Sequence, residues 1–339
     1  MGEWSLHPTA HGGPDALGAA SHDFSTNGNA AGPCPVALAA LRRADPRRYP
    51  DPSYAALRTA LARFHRVEPA RIVLAASASE FIFRLSGLVA RAAPGAQVWL
   101  PAHCYGDYGR AAAVWGLPPG AMPSSARLLW ACDPASPLGT PHEHLGALVD
   151  RLAPRQICVL DLAYEPLRLH GSLALGVRQR DRVWQLWTPN KALGCTGVRA
   201  AYAIARAGAE DLASQLEQLA PSWVLGTQGV ALLHAWTTPA LQSWLLASLD
   251  TLRAWKARQL EVCALLGWKV RLGSVANFFC AQPPAHHLPQ ALQALRRHGI
   301  KLRDATSFGL PGQVRLAVLP PAAQDAWATA WTAPRKMKA

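Results

Sequence analysis

The chain has 339 residues, half of them hydrophobic, and its 34 lysines and arginines outnumber 21 acidic residues for a formal net charge of +13. That length and apolar content suffice for one large domain or two around a substantial core. The arginines are scattered through helix-like patterns and form no single stripe, which argues against nucleic acid as a partner and leaves small anionic ligands compatible with the charge. The seven cysteines, at 34, 104, 132, 158, 195, 263 and 280, make no CxxC pair and no metal-like cluster with histidine, so no metal is expected and a reduced, cytoplasmic setting fits. The amino terminus lacks the basic start and apolar run of a secretory signal. The most apolar region, residues 72–90, is broken by Glu80 and Arg84, so no membrane span is expected.

Residues 1–35 read as an amino-terminal arm. From residue 50 onward short apolar runs alternate with amphipathic stretches, the pattern of an α/β unit with a largely parallel sheet. In chain order the periodicity predicts a helix over 54–65, a strand over 71–75, a helix over 80–92 and a strand over 97–100. Further strands follow over 127–132, 156–160, 183–187 and 200–204, with a helix over 145–152. After Pro221 long helical patterns take over, the longest at 241–266, followed by a strand over 276–280, a helix over 288–297 and a strand over 313–318. This divides the chain into the arm, a large unit over 36–238 and a smaller α+β unit over 239–333.

Lys191 is the first lysine in the chain; every earlier basic side chain other than histidine is arginine. A lysine amine can lose its proton and form an imine, which a guanidinium cannot. In open α/β sheets ligands collect beyond the carboxyl ends of the strands, and three such positions form a coherent set. Ala76-Ser77-Ala78-Ser79-Glu80 follows one strand with small residues that open a helix, where free amides and hydroxyls can hold a phosphate. Asp161 ends a second strand, and Thr188-Pro189-Asn190-Lys191 follows a third. A phosphate cradle, an acid for a ring nitrogen and a lysine for an aldehyde are the parts that hold pyridoxal 5'-phosphate.

The segments HGG (11–13), DFSTNGN (23–29), RYPDPSYAALR (48–58), ASASE (76–80), LDLAY (160–164), NKALGCTGVR (190–199) and TSFGLPGQVRLAV (306–318) resemble fold-type I pyridoxal-phosphate enzymes of the histidinol-phosphate aminotransferase group. Within that group they are most similar to the threonine-phosphate decarboxylase branch of cobalamin biosynthesis. The resemblance implies a fold-type I transferase, with a large doubly wound mixed-sheet domain and a smaller α+β domain, working as a homodimer. It implies that Lys191 bonds the cofactor aldehyde, Asp161 pairs with the ring nitrogen, Tyr105 stacks on the ring and Tyr164 approaches its 3-hydroxyl. Ala78, Ser79, Thr188, Asn190 and Arg199 would hold the cofactor phosphate, and Tyr49 would reach the phosphate of a second copy. Arg315 would grip the substrate carboxylate, with His11 and Asn27 also on the substrate. Ser136, in DPASPLG (133–139), stands where the family usually carries an asparagine that bonds the 3-oxygen, and Asn190 stands where it commonly carries serine. The activity expected is decarboxylation of L-threonine O-3-phosphate to (R)-1-aminopropan-2-yl phosphate; the alternative is an aminotransferase acting on histidinol phosphate or a related amino acid.

Overall fold

A computed structural model describes residues 11–333. The arm carries the short strand β1 (His22–Asp23) and leads through α1 (Pro35–Arg43) and α2 (Ala55–His65) to β2 (Ile72–Ala75). Helices and strands then alternate as α3 (Ala78–Ala92), β3 (Val98–Trp99), α4 (Gly106–Val114), β4 (Leu128–Cys132), α5 (Leu145–Asp150), β5 (Ile157–Asp161), α6 (Val177–Arg180), β6 (Trp184–Trp187) and β7 (Ala201–Ile204). The remainder is α7 (Glu210–Gln218), α8 (Thr227–Trp236), α9 (Pro239–Leu265), β8 (Lys269–Val270), β9 (Phe278–Gln282), α10 (Leu288–Arg297), β10 (Ile300–Lys301), β11 (Arg303–Asp304), β12 (Val314–Ala317) and α11 (Pro321–Thr332). Among the described residues no helix is long and apolar enough to cross a membrane.

The large sheet has the order β2-β7-β6-β5-β4-β3, with β3 to β6 mutually parallel and β7 antiparallel to both neighbours. β2 therefore runs the same way as β3 to β6, and five carboxyl ends share one edge. The reversal of β7 has a local cause. Residues 188–200 form turns and no helix, whereas a parallel crossover back to the same end usually runs through one. Strands β2, β4 and β5 are buried at every position, which explains their continuous apolar runs. β3 forms only two residues where 97–100 was expected, and α3 starts at Ala78, ahead of the expected Glu80, because Ser77 caps it by accepting from the Glu80 amide at 3.1 Å.

The smaller sheet, β11-β12-β9-β8, is antiparallel throughout. The arm joins this part of the molecule, since β1 pairs in parallel with β10 and the Ala317 amide donates to the Phe24 carbonyl at 2.8 Å. The 27-residue α9 starts at Pro239, where a proline's missing N–H costs nothing.

One polar chain runs through the main core. Trp236 Nε1 donates to the Tyr202 hydroxyl at 3.0 Å, and that hydroxyl lies 2.7 Å from His65 Nε2, which accepts when the neutral ring carries its proton on Nδ1. Burial, aided by the charge of Arg180, depresses the His65 pKa from 6.5 to about 4. The folded protein thus resists a proton that the unfolded chain accepts, so stability should fall as pH drops from about 6.5 to about 4. Denaturant midpoints measured across that window should show the loss in the native protein and a shallower slope in His65→Gln, which keeps an acceptor but does not titrate.

Candidate active site

Beyond the shared carboxyl edge lies a cavity of about 880 Å³, lined by the β2–α3 junction, the ends of β4, β5 and β6, the start of α4, the arm, and β11 and β12. The structure brings His11, Asn27, Ala78, Ser79, Tyr105, Ser136, Asp161, Tyr164, Thr188, Asn190, Lys191, Arg199 and Arg315 to this one cavity. Tyr49 is not among them. Its ring is 76% exposed and stacks on Trp223 with centroids 4.3 Å apart, away from this chain's own cavity.

Lys191 sits in the turn-rich loop after β6, which the arm clamps. The Asn29 amide donates to the Lys191 carbonyl at 2.8 Å, Asn29 Nδ2 to Ala192 at 3.0 Å and the Cys34 amide to Leu193 at 2.9 Å. Gly194 permits this approach: it has φ +64°, and a Cβ there would lie 3.0 Å from the Asn29 carbonyl oxygen. The lysine Nζ donates to Thr188 Oγ1 at 3.3 Å and lies 5.4 Å from the centre of the Tyr164 ring. Asn190, expected to contact a phosphate, instead donates through Nδ2 to the carbonyls of Thr196 (3.3 Å) and Val198 (3.2 Å). Both amide hydrogens are thereby committed to bracing the lysine loop, a role serine's single hydroxyl proton cannot duplicate.

Asp161 is 4% exposed, and burial pushes its carboxyl upward, opposed by the Tyr108 hydroxyl, the Lys191 charge and the Ala163 amide. Tyr108 donates to Asp161 Oδ2 at 2.6 Å, and its ring stacks on Trp130 at 4.6 Å. Sequence reasoning missed Tyr108, whose only signal was its place in HCYGDY (103–108), and missed α4 itself. Tyr105 immediately precedes α4; its hydroxyl donates to Asp107 Oδ2 at 2.7 Å and lies 2.9 Å from Ser79 Oγ.

The first-turn amides of α3, at Ala78 and Ser79, have no intrahelical carbonyl to pair with and carry the positive end of the helix dipole. Half-buried Glu80 and buried Arg84 anchor this turn from behind: they pair at 2.9 Å, Glu80 accepts from the Ala76 amide at 3.1 Å, and Arg84 donates to the Leu74 carbonyl at 2.6 Å. Thr188 and the exposed Arg199 complete this wall.

At the opposite wall Arg315 is 7% exposed; its Nη2 donates to the Ser25 carbonyl at 2.9 Å and its Nε is buried without a partner. Ser136, expected on the cofactor side, accepts from Arg315 Nη1 at 3.4 Å. Arg303, which sequence reasoning missed, is the register partner of Arg315 across β11 and β12 and is 5% exposed. Burial and the neighbouring Arg315 lower its pKa to about 10. Asn27 is 3% exposed, and both ends of its amide lack a partner. His11 reaches the rim because Gly12 lies against the Ser25 carbonyl, where a Cβ would come within 2.2 Å.

A sequence profile described as aminotransferase class I and II matches residues 20–329. The chain belongs to this family. Among its relatives is the histidinol-phosphate aminotransferase of Ruegeria pomeroyi, 28% identical over 320 residues that cover 87% of this chain and 86% of that one. The fold is shared with the histidinol-phosphate aminotransferase of Sinorhizobium meliloti in complex with pyridoxal-5'-phosphate, at TM-score 0.77 and 23% identity over 96% of this chain and 94% of that one. It is also shared with the L-threonine-O-3-phosphate decarboxylase of Porphyromonas gingivalis, at TM-score 0.71 and 19% identity over 90% and 95%.

The protein is thus a pyridoxal-phosphate enzyme with the fold-type I architecture. The cavity suits that cofactor on its own terms. Asp161 is a buried acid without an ion-pair partner among the described residues, the condition that a protonated ring nitrogen relieves. The Ala78 and Ser79 amides suit a phosphate, and Lys191 Nζ lies at the end of β6 within the same cavity. When bound, the cofactor supplies an aldehyde for an amine and a ring that accepts the electrons of a bond broken at the amine-bearing carbon. Borohydride treatment of the cofactor-loaded protein should therefore leave a pyridoxyl group on Lys191, located by peptide mass analysis. A modification confined to another lysine would overturn the assignment.

Proposed function

We propose that the enzyme is an aminotransferase acting on a small amino compound that carries a phosphate ester, of the histidinol-phosphate kind. The observation that carries the anionic substrate is the Arg303–Arg315 pair: two buried guanidiniums in register on neighbouring strands repel each other and lose hydration, and an anion between them offsets both. Five cationic lysine and arginine side chains against two acids line the cavity, which supports the same reading. The family and the curated relative support transamination. In that chemistry Lys191 would carry the proton to and from the amine-bearing carbon. Thr188 steadies its Nζ and the Tyr164 ring limits its approach. Asp161 would hold the ring nitrogen, Tyr105 would lie against the ring, and Ala78, Ser79, Thr188 and Arg199 would hold the cofactor phosphate.

A second reading, decarboxylation of L-threonine O-3-phosphate, has its own support. Two adjacent arginines give a carboxylate and a phosphate separate places on one small substrate. The HGG arm also presents His11 at the rim beside them. How the site orients the bonds at the amine-bearing carbon would separate the two reactions.

Loaded enzyme should transfer the amino group of histidinol phosphate to a 2-oxo acid and release no carbon dioxide from carboxyl-labelled threonine phosphate; release without transfer would reverse the order of the two readings. Arg303→Ala should lower kcat/KM for the phosphorylated substrate by about 3 kcal/mol of transition-state stabilisation. Equal activity on the unphosphorylated compound would remove the phosphate assignment. Tyr49, exposed beside Trp223, suits the proposed contact with the phosphate site of a second copy. Light scattering should report a dimer, and a fully active monomer would refute the shared site.

A further inference from the structure

We infer that Asp107 is a positioning residue that fixes the Tyr105 ring against the cofactor, through a one-way hydrogen-bond chain running from Ser79 to Tyr105 to Asp107. The inference rests on the proposed reading that Tyr105 faces the cofactor ring. Asp107 lies in the first turn of α4 and is 4% exposed. Among the described residues its carboxylate accepts a hydrogen bond only from Tyr105, at 2.7 Å; Oδ1 is buried without a hydrogen bond and lies 3.6 Å from Arg110 Nη1. It bonds no backbone amide of its own helix, so capping does not explain it.

The direction of the chain follows from what an ionised carboxylate can do. It only accepts, so the Tyr105 O–H must donate to Asp107, and the Tyr105 oxygen is left to accept from the Ser79 hydroxyl at 2.9 Å. Burial and the negative charges of Asp107 and Asp161 hold the Tyr105 phenol in its protonated form, which keeps the donor in place. With both of its hydrogen-bonding directions occupied, the phenol cannot rotate freely and the ring plane is set. The hydroxyl proton of Ser79 is turned toward Tyr105, so Ser79 meets the cofactor phosphate through its backbone amide. Tyr108, the next residue, holds Asp161 at 2.6 Å, so two consecutive residues of α4 orient two groups of the cofactor site. An asparagine at 107 would offer an amide that donates as well as accepts, and the fixed direction would be lost.

The test uses the cofactor-loaded enzyme without turnover, reading the dissociation constant of pyridoxal 5'-phosphate and the visible circular dichroism of the bound cofactor. Asp107→Asn and Tyr105→Phe should each weaken retention by about tenfold, on the order of one charge-assisted hydrogen bond, and flatten the dichroism. Combining them should do no more than Tyr105→Phe alone, because Asp107 acts only through the hydroxyl. Asp107→Glu, which keeps the acceptor, should recover part of the signal. If Asp107→Asn gives no folded protein, Ser79→Ala combined with Tyr105→Phe reads the same chain from its other end, again with no added loss expected. Wild-type retention and dichroism in Asp107→Asn alongside a defective Tyr105→Phe, or multiplicative losses in the double variant, would overturn the inference. If Tyr105→Ala itself changes neither reading, Tyr105 does not face the cofactor, and the reading beneath the inference fails instead.

Discussion

The contact between the arm and the loop after β6 is the constraint on which the site depends. Residues 188–200 carry Lys191 and also turn the sheet back on itself. A loop with two such duties, and no helix of its own, has to be held from outside. The Asn29 amide on the Lys191 carbonyl and the Cys34 amide on Leu193 supply that support, and the Asn190 amide braces the loop from within. The departure from serine at position 190 is thus linked to how this chain shapes its lysine loop.

The same arm connects the lysine to the arginine wall. Ser25 receives Arg315, Gly12 packs on the Ser25 carbonyl, and Phe24 accepts from the Ala317 amide of β12. Displacing the arm would therefore disturb Lys191 and Arg315 together. This coupling explains why a short segment with little regular structure contributes to both walls of the cavity.

Charge placement, more than net charge, defines the ligand. The surplus of positive charge in the whole chain is mostly surface arginine, whereas in the cavity two buried arginines lie in register and one buried acid, Asp161, forms no ion pair among the described residues. These are unfavourable arrangements in a protein by itself, and they make sense as sites for groups of opposite sign on cofactor and substrate.

Lys191, Asp161 and the cradle at Ala78 and Ser79 were legible in the sequence because each follows a buried strand whose apolar run announces it, and parallel strands deliver their carboxyl ends to one edge. The chain's own order therefore brought the residues proposed to hold the cofactor to one cavity. Tyr108 on Asp161, Asp107 on Tyr105 and Arg303 beside Arg315 were not legible, nor was the use of Ser136 by Arg315. Those pairings depend on how α4 docks against β5 and how β11 aligns with β12. Hydrogen bonds between residues 53 or 179 positions apart leave no periodic trace in a single sequence. Periodicity records which face of an element is buried, and only tertiary packing decides which polar group meets which across that face.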